Sequence, residues 1–435
     1  MTAFEFRDGV LHAEDVPLTT IAEQFGTPTF VYSQGYFEQR YAALRAALDG
    51  IDHELCYAVK ANSNLSVLHT FAQLGAGFDI VSGGELQRVL TVGGDPARVL
   101  FSGVGKTVAE IDLALKHQIG CFNVESAEEL ERLAARAALL HTIAPVSIRV
   151  NPNVDAATHP YISTGLKTNK FGVPAEQAPA LYRFAAAHPA LRVVGIDCHI
   201  GSQIADPAPL LEAMNNLLAL VDNLAAEGIV IEHLDLGGGL GVTYDDEPDF
   251  AAGAYGAALR TALKDRHLKL LLEPGRFLVA NGGVLLTRIE YLKPAADAAS
   301  DGDAKNFAIV DAAMNDLIRP ALYQAHHGIE TVQPAAVDAR RWDIVGPVCE
   351  SGDFLAKDRL LALESASLLA VHSAGAYGMV QSSNYNTRGR AAEVMVNGAT
   401  VRRIRHRETV RDQIALELDG LPASVFDVDL RQTGS

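Results

Sequence analysis

The feature of this sequence that most constrains its fold is an alternation of short apolar runs with helical patterns between about residues 55 and 275. This rhythm is typical of repeated βα units around a parallel sheet. Eight runs rich in β-branched residues are present, at 56–59, 78–81, 99–101, 121–124, 146–150, 193–198, 233–236 and 270–272. Eight strands close a TIM-type (βα)8 barrel, although a doubly wound open sheet would give the same alternation.

Helix-start and helix-stop signals lie between these runs. The pairs Thr107 with Glu110 and Ser126 with Glu129 have the spacing of capping boxes. Glycines at 75, 120 and 228 stand where the helical patterns end. We therefore expect a helix to follow the third and the fourth run.

The pattern changes after residue 275. Apolar runs at 283–291, 307–310, 342–345, 360–363 and 393–396 are separated by Gly, Pro, Asp and Asn, which predicts a mainly antiparallel β domain. Residues 4–6 and 29–32 also resemble strands and do not fit the βα rhythm. The predicted organisation is an α/β chain with a barrel at 30–275 and a β domain formed by 1–29 and 276–435.

Charge and composition exclude several classes of protein. Lys and Arg total 36 against 53 Asp and Glu, and the net charge of −17 argues against a nucleic-acid surface or a polybasic membrane patch. No apolar stretch reaches 18 residues, and Glu5, Arg7 and Asp8 occupy the place of a signal-peptide core. The four cysteines include no C-x-x-C pair, so neither zinc nor disulfides are indicated. We expect a cytoplasmic protein with reduced thiols and no metal.

Reactive residues follow many different runs, which favours the barrel over the open sheet. Lys60, Ser82 and Glu85, Arg149, His199, the glycines at 237–239, and Glu273 with Arg276 are expected to converge on one mouth. A lone lysine at a strand end is often a snorkelling residue. In an apolar mouth, however, desolvation is expected to lower the pKa of Lys60 and to make it a Schiff-base nucleophile.

A phosphate site is indicated after the seventh run, where barrels commonly bind phosphate. The run Gly237, Gly238 and Gly239 offers bare backbone N–H groups, although it is also compatible with a simple tight turn. Ser202 can add a hydroxyl, and His199 offers a flat ring for stacking on an aromatic cofactor, the alternative being a satisfied core histidine. Glu273 can pair with a pyridine nitrogen, or form a surface ion pair with Arg276. Together these residues predict a site for pyridoxal 5′-phosphate.

With these residues the sequence resembles the fold-type III, alanine-racemase-like enzymes, and within them the diaminopimelate decarboxylases. The resemblance extends over about residues 25–397. The motifs that carry it are YAVKAN at 57–62, DIVSGGE at 79–85, RVNP at 149–152, HPYISTG at 159–165, KFG at 170–172, HIGS at 199–202, EPGR at 273–276 and CESGD at 349–353.

The resemblance implies a role for each matching residue. Lys60 carries the cofactor, His199 stacks on its ring, and Glu273 pairs with the ring nitrogen. The remaining residues expected to bind the cofactor are Asp79, Arg149, Ser202, Gly237, Gly238, Gly239, Gly275, Arg276 and Tyr377. The substrate is expected to contact Arg276, Arg319, Tyr323, Glu350 and Tyr377, with two arginines gripping one carboxylate. Lys60, His199, Glu273 and Cys349 form the expected catalytic set.

The implied reaction is decarboxylation of meso-2,6-diaminopimelate at its D centre to L-lysine and carbon dioxide, the last step of lysine biosynthesis. The resemblance also implies a homodimer in which Cys349 and Glu350 of one subunit complete the active site of its partner. A decarboxylase of ornithine, lysine or arginine is the alternative enzyme, and a catalytically silent relative is the alternative outside enzymes. Gly389 stands where the family usually has proline, which leaves the rigidity of that turn open.

Overall fold

The structure is a computed structural model that describes residues 2–154, 170–295 and 305–420. The predicted loop motif at 159–165 lies outside these residues. The strands are β1 (Phe4–Arg7), β2 (Val10–Ala13), β3 (Val16–Pro17), β4 (Thr29–Ser33), β5 (His53–Ala58), β6 (Gly77–Ile80), β7 (Val99–Phe101), β8 (Cys121–Val124), β9 (Ala144–Asn151), β10 (Val173–Pro174), β11 (Leu191–Asp197), β12 (His233–Asp235), β13 (Lys269–Leu272), β14 (Gly283–Lys293), β15 (Phe307–Val310), β16 (Ile329–Thr331), β17 (Arg340–Val345), β18 (Phe354–Leu361), β19 (Leu368–Val371), β20 (Ala392–Asn397) and β21 (Thr400–Arg405).

Helices alternate with the strands of the central part of the chain. They are α1 (Leu18–Phe25), α2 (Gln34–Ala47), α3 (Leu65–Gln73), α4 (Gly83–Thr91), α5 (Val108–Lys116), α6 (Ala127–Leu139), α7 (Ala178–Ala187), α8 (Ala208–Ala226), α9 (Ala252–Leu263), α10 (Arg276–Val279), α11 (Arg319–Tyr323) and α12 (Val410–Ile414). Short 3₁₀ turns include Val59–Ala61, which follows β5 directly.

Eight parallel strands close into a barrel. Their order is β5, β6, β7, β8, β9, β11, β12 and β13, and β13 pairs with β5 to complete the ring. Buried side chains of Cys56, Leu100, Cys121, Val194 and Leu271 pack together as a core cluster. The predicted α/β barrel is therefore confirmed, and an open sheet is excluded. Because all strands are parallel, their carboxyl ends meet at one rim.

The predicted helix starts are present, with one difference in detail. Thr107 and Glu110 form a complete capping box at α5. At α6 the Ser126 side chain accepts a hydrogen bond from Glu129 N, but Oε2 of Glu129 accepts one from Glu125 N instead of from the N-cap residue. The other oxygen of Glu129 binds the buried Lys106 ammonium at 2.7 Å, and this contact explains the difference.

The chain divides into two compact units. The first comprises Gln34–Gly282 with Gly375–Val380, so Tyr377 belongs to the same unit as the barrel. The second comprises Thr2–Ser33, Gly283–Ala374 and Gln381–Ser435.

The second unit contains a mixed sheet that is mostly antiparallel. β4 lies between β14 and β20, so the strand formed by Thr29–Ser33 is hydrogen-bonded to two strands from the later part of the chain. Most pairings are antiparallel, while β15 with β17 and β20 with β4 are parallel. A predicted strand at 360–363 is wrong in its bounds, because β18 runs from Phe354 to Leu361.

Two further expectations concern the whole chain. In the part of the chain that the structure describes, no helix is long and apolar enough to cross a membrane. The four cysteines are free thiols: Cys56, Cys121 and Cys198 are buried and Cys349 is exposed.

Candidate active site

Lys60 lies at the carboxyl end of β5, in the 3₁₀ turn that follows the strand. Its Nζ donates a hydrogen bond to Oδ2 of Asp79 at 2.7 Å. Asp79 stands on the neighbouring strand β6 and is fully buried, whereas one third of the Lys60 side chain is exposed. The carboxylate therefore fixes the position of the amine while the amine still reaches the mouth of the barrel.

The charge of Lys60 differs from the sequence expectation. Burial lowers its pKa, as predicted, but the negative charges of Asp79 and Glu273 together with Tyr377 outweigh burial, and the net pKa is raised above its usual value. The prediction of a lowered pKa was wrong because the partner Asp79 is 19 residues away and could not be assigned from the strand that carries the lysine. Lys60 must consequently lose a proton before it acts as a nucleophile.

Three buried carboxyls, which we call the floor of the barrel, lie together at the carboxyl ends of three neighbouring strands. Asp197 ends β11, Asp235 ends β12, and Glu273 follows β13; one oxygen from each lies within 4.8 Å of the others. Their exposures are 2%, 0% and 4%. Oε1 of Glu273 also faces the Ser102 hydroxyl and the Asn123 amide, both at 3.4 Å.

Proximity and burial change the acidity of all three carboxyls. Burial, followed by repulsion from Asp235 and other carboxylates, raises the pKa of Glu273 well above its usual range. Burial and the charge of Asp235 likewise raise the pKa of Asp197. The pKa of Asp235 rises to about 7, mainly through burial and despite the hydrogen bond from Gly237 N. The floor is electronegative and is suited to a cationic partner.

His199 and Arg149 stand on the wall of the same cavity, which encloses about 430 Å³ and is also lined by Lys60, Phe171 and Glu273. Burial, followed by the charges of Arg149 and Lys60, keeps the pKa of His199 well below its usual value, so its ring is uncharged at neutral pH. A neutral imidazole is the form suited to stacking on a flat heteroaromatic ring.

Arg149 is held by a carboxylate that the sequence did not single out. Its Nη1 donates to Oε1 of Glu125 at 2.9 Å, and Glu125 also accepts from Gly103 N at 3.0 Å and Gly172 N at 2.8 Å. Glu125 thus connects Arg149 to two loops that border the cavity. It belongs to the loop after the fourth run, where the strand-end argument applies equally well.

The glycine run after β12 is required by close packing. A Cβ on Gly238 would lie 2.2 Å from Glu273 O, and one on Gly239 would lie 2.3 Å from Gly201 O. Gly237 and Gly239 also have positive φ values of 66° and 88°. One expectation is corrected: the N–H of Gly237 is not bare, since it donates to Oδ1 of Asp235 at 2.8 Å. Among the described residues, the N–H groups of Gly238 and Gly239 have no protein acceptor.

Arg276 connects further predicted residues of the barrel unit. It is buried at the start of α10, directly after Gly275, and its Nη2 donates to Ser202 Oγ at 3.1 Å. Its Nη1 donates to the hydroxyl of Tyr244, and its guanidinium carbon lies 4.8 Å from the centre of the Tyr377 ring. Sequence reasoning missed Tyr244, although it follows the glycine run by only a few residues.

Two residues predicted at the rim act mainly as helix caps. The Ser82 side chain accepts a hydrogen bond from Glu85 N and forms the N-cap of α4. Glu85 accepts one from Val81 N at 2.6 Å. Burial raises the pKa of Glu85 to about 7.

Sequence reasoning overlooked two residues, Ser102 and Asn123, although they stand at the carboxyl ends of the third and fourth predicted strands.

The remaining predicted residues belong to the second unit. Arg319 is buried at the start of α11, and its guanidinium carbon lies 5.5 Å from the ring of Tyr323. Cys349 is exposed, and its N–H donates to Oδ1 of Asn386 at 2.9 Å. Oε1 of Glu350 accepts a hydrogen bond from the Tyr385 hydroxyl at 2.8 Å. The loop with Cys349 and Glu350 is therefore held by the turn at Tyr385–Thr387.

Gly389, the departure from the family pattern, also has a structural explanation. A Cβ at this position would lie 2.1 Å from Glu408 O. The backbone can therefore follow this path only without a side chain, whereas a proline ring would displace the loop between β21 and α12 that carries Glu408.

The barrel residues fit pyridoxal 5′-phosphate on structural grounds. Oδ1 of Asp79, Oδ1 of Asp197 and Oδ2 of Asp235 are buried without a hydrogen-bond partner among the described residues, and a protonated ring nitrogen would compensate such charge. A cradle at Gly238 and Gly239 that any Cβ would fill is suited to a phosphate approached by backbone. Lys60 has a primary amine, the group that can form a Schiff base with an aldehyde.

Comparison with known proteins agrees with this site. Residues 34–280 match the family described as pyridoxal-dependent decarboxylase, pyridoxal binding domain. Diaminopimelate decarboxylase from Pseudomonas aeruginosa is 60% identical over 417 residues, which cover 96% of this chain and 99% of that protein. The same enzyme from Neisseria meningitidis serogroup B is 55% identical and covers 95% and 98% of the two chains.

A solved structure is similar over the same range. The crystal structure of diaminopimelate decarboxylase from Helicobacter pylori complexed with L-lysine has a TM-score of 0.88 and 41% identity, and it covers 93% of this chain and 100% of that one. The fold and the site thus define a pyridoxal-dependent decarboxylase. Within that class, identity over nearly the whole length shows that the chain belongs to the diaminopimelate decarboxylase family.

Proposed function

We propose that this protein removes the carboxylate at the D centre of meso-2,6-diaminopimelate, yielding L-lysine and carbon dioxide, and that it uses pyridoxal 5′-phosphate to do so. The observation that carries the reaction class is the position of Lys60, an amine fixed by Asp79 at the mouth of a barrel whose floor is three buried carboxyls. The identity of the substrate is supported by relatives named for diaminopimelate at 60% and 55% identity.

The cofactor supplies one chemical capability, an electron sink for the pair left at Cα when carbon dioxide departs. Lys60 is its attachment point, and Asp79 orients the amine. His199 would contribute an uncharged ring for stacking, and Glu273 would pair with the ring nitrogen.

The phosphate is assigned to backbone and side-chain groups of the barrel unit. These are the backbone N–H groups of Gly238 and Gly239, the Ser202 hydroxyl, the backbone at Gly275 and Arg276, and Tyr377. Arg149, paired with Glu125, completes the wall of the cavity.

Substrate recognition is assigned to Arg276, Arg319 and Tyr323, which receive the distal carboxylate. Guanidinium groups suit this task because they bind a carboxylate in a planar, bidentate arrangement. Arg319 is buried and stacks beside Tyr323 at 5.5 Å, so its guanidinium is pre-oriented. Ornithine and lysine lack a distal carboxylate and would leave these cations without an anionic partner.

We propose further that the enzyme is cytoplasmic and forms a homodimer in which both subunits contribute residues to each active site. Cys349 is an exposed thiol, and the neighbouring Glu350 is an exposed carboxylate held by Tyr385. An exposed thiol and an exposed carboxylate are suited to a surface of one subunit that completes the active site of its partner. There Glu350 would bind the distal amino group of the substrate, and Cys349 would lie beside the reacting carbon.

A substrate panel tests the proposed function. Purified protein would be supplied separately with meso-diaminopimelate, the LL isomer, ornithine and lysine, and release of carbon dioxide would be measured. We expect release from the meso isomer alone, with Lys60→Ala protein as the blank. Release from ornithine or lysine at a comparable kcat/KM would refute the assigned specificity, and no release from any substrate would favour a catalytically silent relative.

A further inference from the structure

The three carboxyls of the barrel floor lie close together, and the surrounding protein offers few cations to balance their negative charge. Asp197, Asp235 and Glu273 approach within 4.8 Å of one another and are at most 4% exposed. The nearest cation to Asp197 is Arg149, whose Nε lies 3.9 Å from Oδ2. Burying several like charges with so little pairing destabilises a folded chain.

Two oxygens show that hydrogen bonds offset this cost only in part. Oδ1 of Asp235 accepts from Gly237 N, but its Oδ2 is buried with no partner within the described ranges. Oδ1 of Asp197 is in the same situation. Groups of this kind, arranged at the expense of stability in a cleft, are typical of functional sites.

We propose that Asp235, assisted by Asp197, is a positioning residue that acts through Glu273 to stabilise the positive charge of the cofactor's ring nitrogen. This inference rests on the assignment of Glu273 to that nitrogen in the proposed function, and it is independent of the proposed substrate. Neither Asp235 nor Asp197 needs to touch the ring. The negative charge of each affects how tightly Glu273 binds its proton.

The proposed proton transfer from Glu273 to the ring nitrogen balances. Burial, together with repulsion from Asp235, makes Glu273 retain a proton, which it would give to the ring nitrogen; an O–H bond breaks, an N–H bond forms, and no proton is taken from solvent. The new positive charge then lies beside the carboxylates that previously repelled one another. Loss of one of these carboxylates weakens the attraction for the cation.

Several other groups face the same floor from the surrounding elements. They include Lys60 after β5, Asp79 on β6, Asn123 on β8, Glu125 after β8, Arg149 on β9, Cys198 after β11 and Tyr255 on α9. Because the pKa of Asp235 is raised from 3.8 to about 7, the folded chain binds this proton more tightly than the unfolded chain. Stability in the absence of cofactor is therefore expected to fall as pH rises from 3.8 to about 7.

Asp235→Asn tests the proposal, because the amide keeps an oxygen for Gly237 N and removes the charge. We expect the full-length variant, stripped of cofactor, to resist urea better than wild type at pH 8 and to show a flatter dependence of stability on pH. We also expect its Kd for pyridoxal phosphate to rise at least about tenfold. The loss should disappear with 1-deazapyridoxal phosphate, which has a carbon in place of the ring nitrogen.

Two further variants make the outcome decisive. Glu273→Gln should show the same discrimination between cofactor and deaza analogue; if it does not, the assignment of Glu273 fails, and the inference fails with it. Glu54→Gln is the matched control, a barrel carboxyl that pairs with Arg98 and Lys269 at the start of β5; it should lose stability and keep cofactor affinity.

Two results overturn the proposal while leaving Glu273 in place. The first is that Asp235→Asn protein binds cofactor as wild type does while Glu273→Gln protein discriminates between cofactor and deaza analogue. The second is that Asp235→Asn protein loses equal affinity for both compounds, which indicates a structural role. If Asp235→Asn protein does not fold, Asp197→Asn replaces it, with the same direction of effect expected and the same two results against it.

Discussion

The ammonium of Lys60 lies 2.7 Å from Oδ2 of the fully buried Asp79, and the two residues stand on neighbouring parallel strands. This pair both orients the amine and keeps it charged, since the Asp79 carboxylate is the largest of the influences that raise the pKa of Lys60. Asp79 thus orients the Lys60 amine but also makes it less nucleophilic, because a protonated amine would have to lose its proton before attacking an aldehyde.

The first prediction concerns Asp79→Asn. Removing the carboxylate lowers the pKa of Lys60, so a larger fraction of the amine is unprotonated at a given pH. The rate at which stripped protein captures pyridoxal phosphate, followed by its visible absorbance, should reach half its maximum at a pH lower by at least about one unit.

Asp112→Asn is a control for this measurement, since Asp112 pairs with Arg136 between α5 and α6, away from the barrel mouth. It should leave the midpoint unchanged. An unchanged midpoint in Asp79→Asn as well would show that Asp79 only orients the amine.

How far the sequence predicts this molecule can be seen from particular strands. All eight barrel strands were found because each is buried on both faces and reads as a short apolar run. The wrong bounds of β18 have the opposite cause. Its residues 357–359 are Lys, Asp and Arg, and Asp358 has a φ of 55°, so this charged stretch separates the apolar residues 354–356 from Leu360 and Leu361.

The electrostatics of the site could not be predicted in the same way. The position of Lys60 follows from its own strand, but the direction of its pKa shift depends on Asp79 and Glu273, which are distant in sequence. Likewise, the grouping of Asp197, Asp235 and Glu273 requires three strand ends to meet at one rim. Residue types at strand ends predict which groups converge; only the closed barrel shows which of them touch.

The second prediction concerns Gly238→Ala. The added methyl would lie 2.2 Å from Glu273 O, so either the loop after β12 or the backbone at Glu273 must move. Cofactor content after purification should fall strongly, because the displaced loop carries the N–H groups assigned to the phosphate. Absorbance per subunit and Kd for pyridoxal phosphate measure this.

Gly253→Ala is the matched control for that loss. A Cβ on Gly253 meets nothing within 4 Å, and the residue lies inside α9, where alanine favours the helix by about 1 kcal/mol. This variant should keep its cofactor and become slightly more stable. Full cofactor content in Gly238→Ala protein would remove the glycine run from the phosphate site.

The third prediction concerns Arg319→Ala. This residue is assigned to the distal carboxylate and not to the cofactor, so cofactor content should stay unchanged while kcat/KM on diaminopimelate falls. Removing one charge-assisted contact to a buried carboxylate typically costs about 2–5 kcal/mol. Arg341→Ala, which breaks an exposed pair with Asp358, is the control and should leave kcat/KM at the wild-type value. The assignment of Arg319 is contradicted if both variants behave alike.

The last prediction concerns the shared active site. Lys60 belongs to the barrel unit, whereas Cys349 is an exposed thiol of the second unit. If each site combines Lys60 of one subunit with Cys349 of its partner, a two-fold dimer contains two identical composite sites. Lys60→Ala and Cys349→Ala homodimers should then each be nearly inactive, and Lys60→Ala protein should also lose the visible absorbance of bound cofactor.

Mixing the two variants tests this arrangement. After unfolding and refolding together, a heterodimer would have both residues damaged in one site and neither in the other. Random pairing makes half of the dimers mixed, and half of their sites intact, so activity should return to about a quarter of wild type. If one chain supplied both residues, every site in the mixture would lack one of them and no activity would return. Differently tagged chains, purified over both tags, establish that exchange took place, so an absence of recovery in that fraction would reject the shared site.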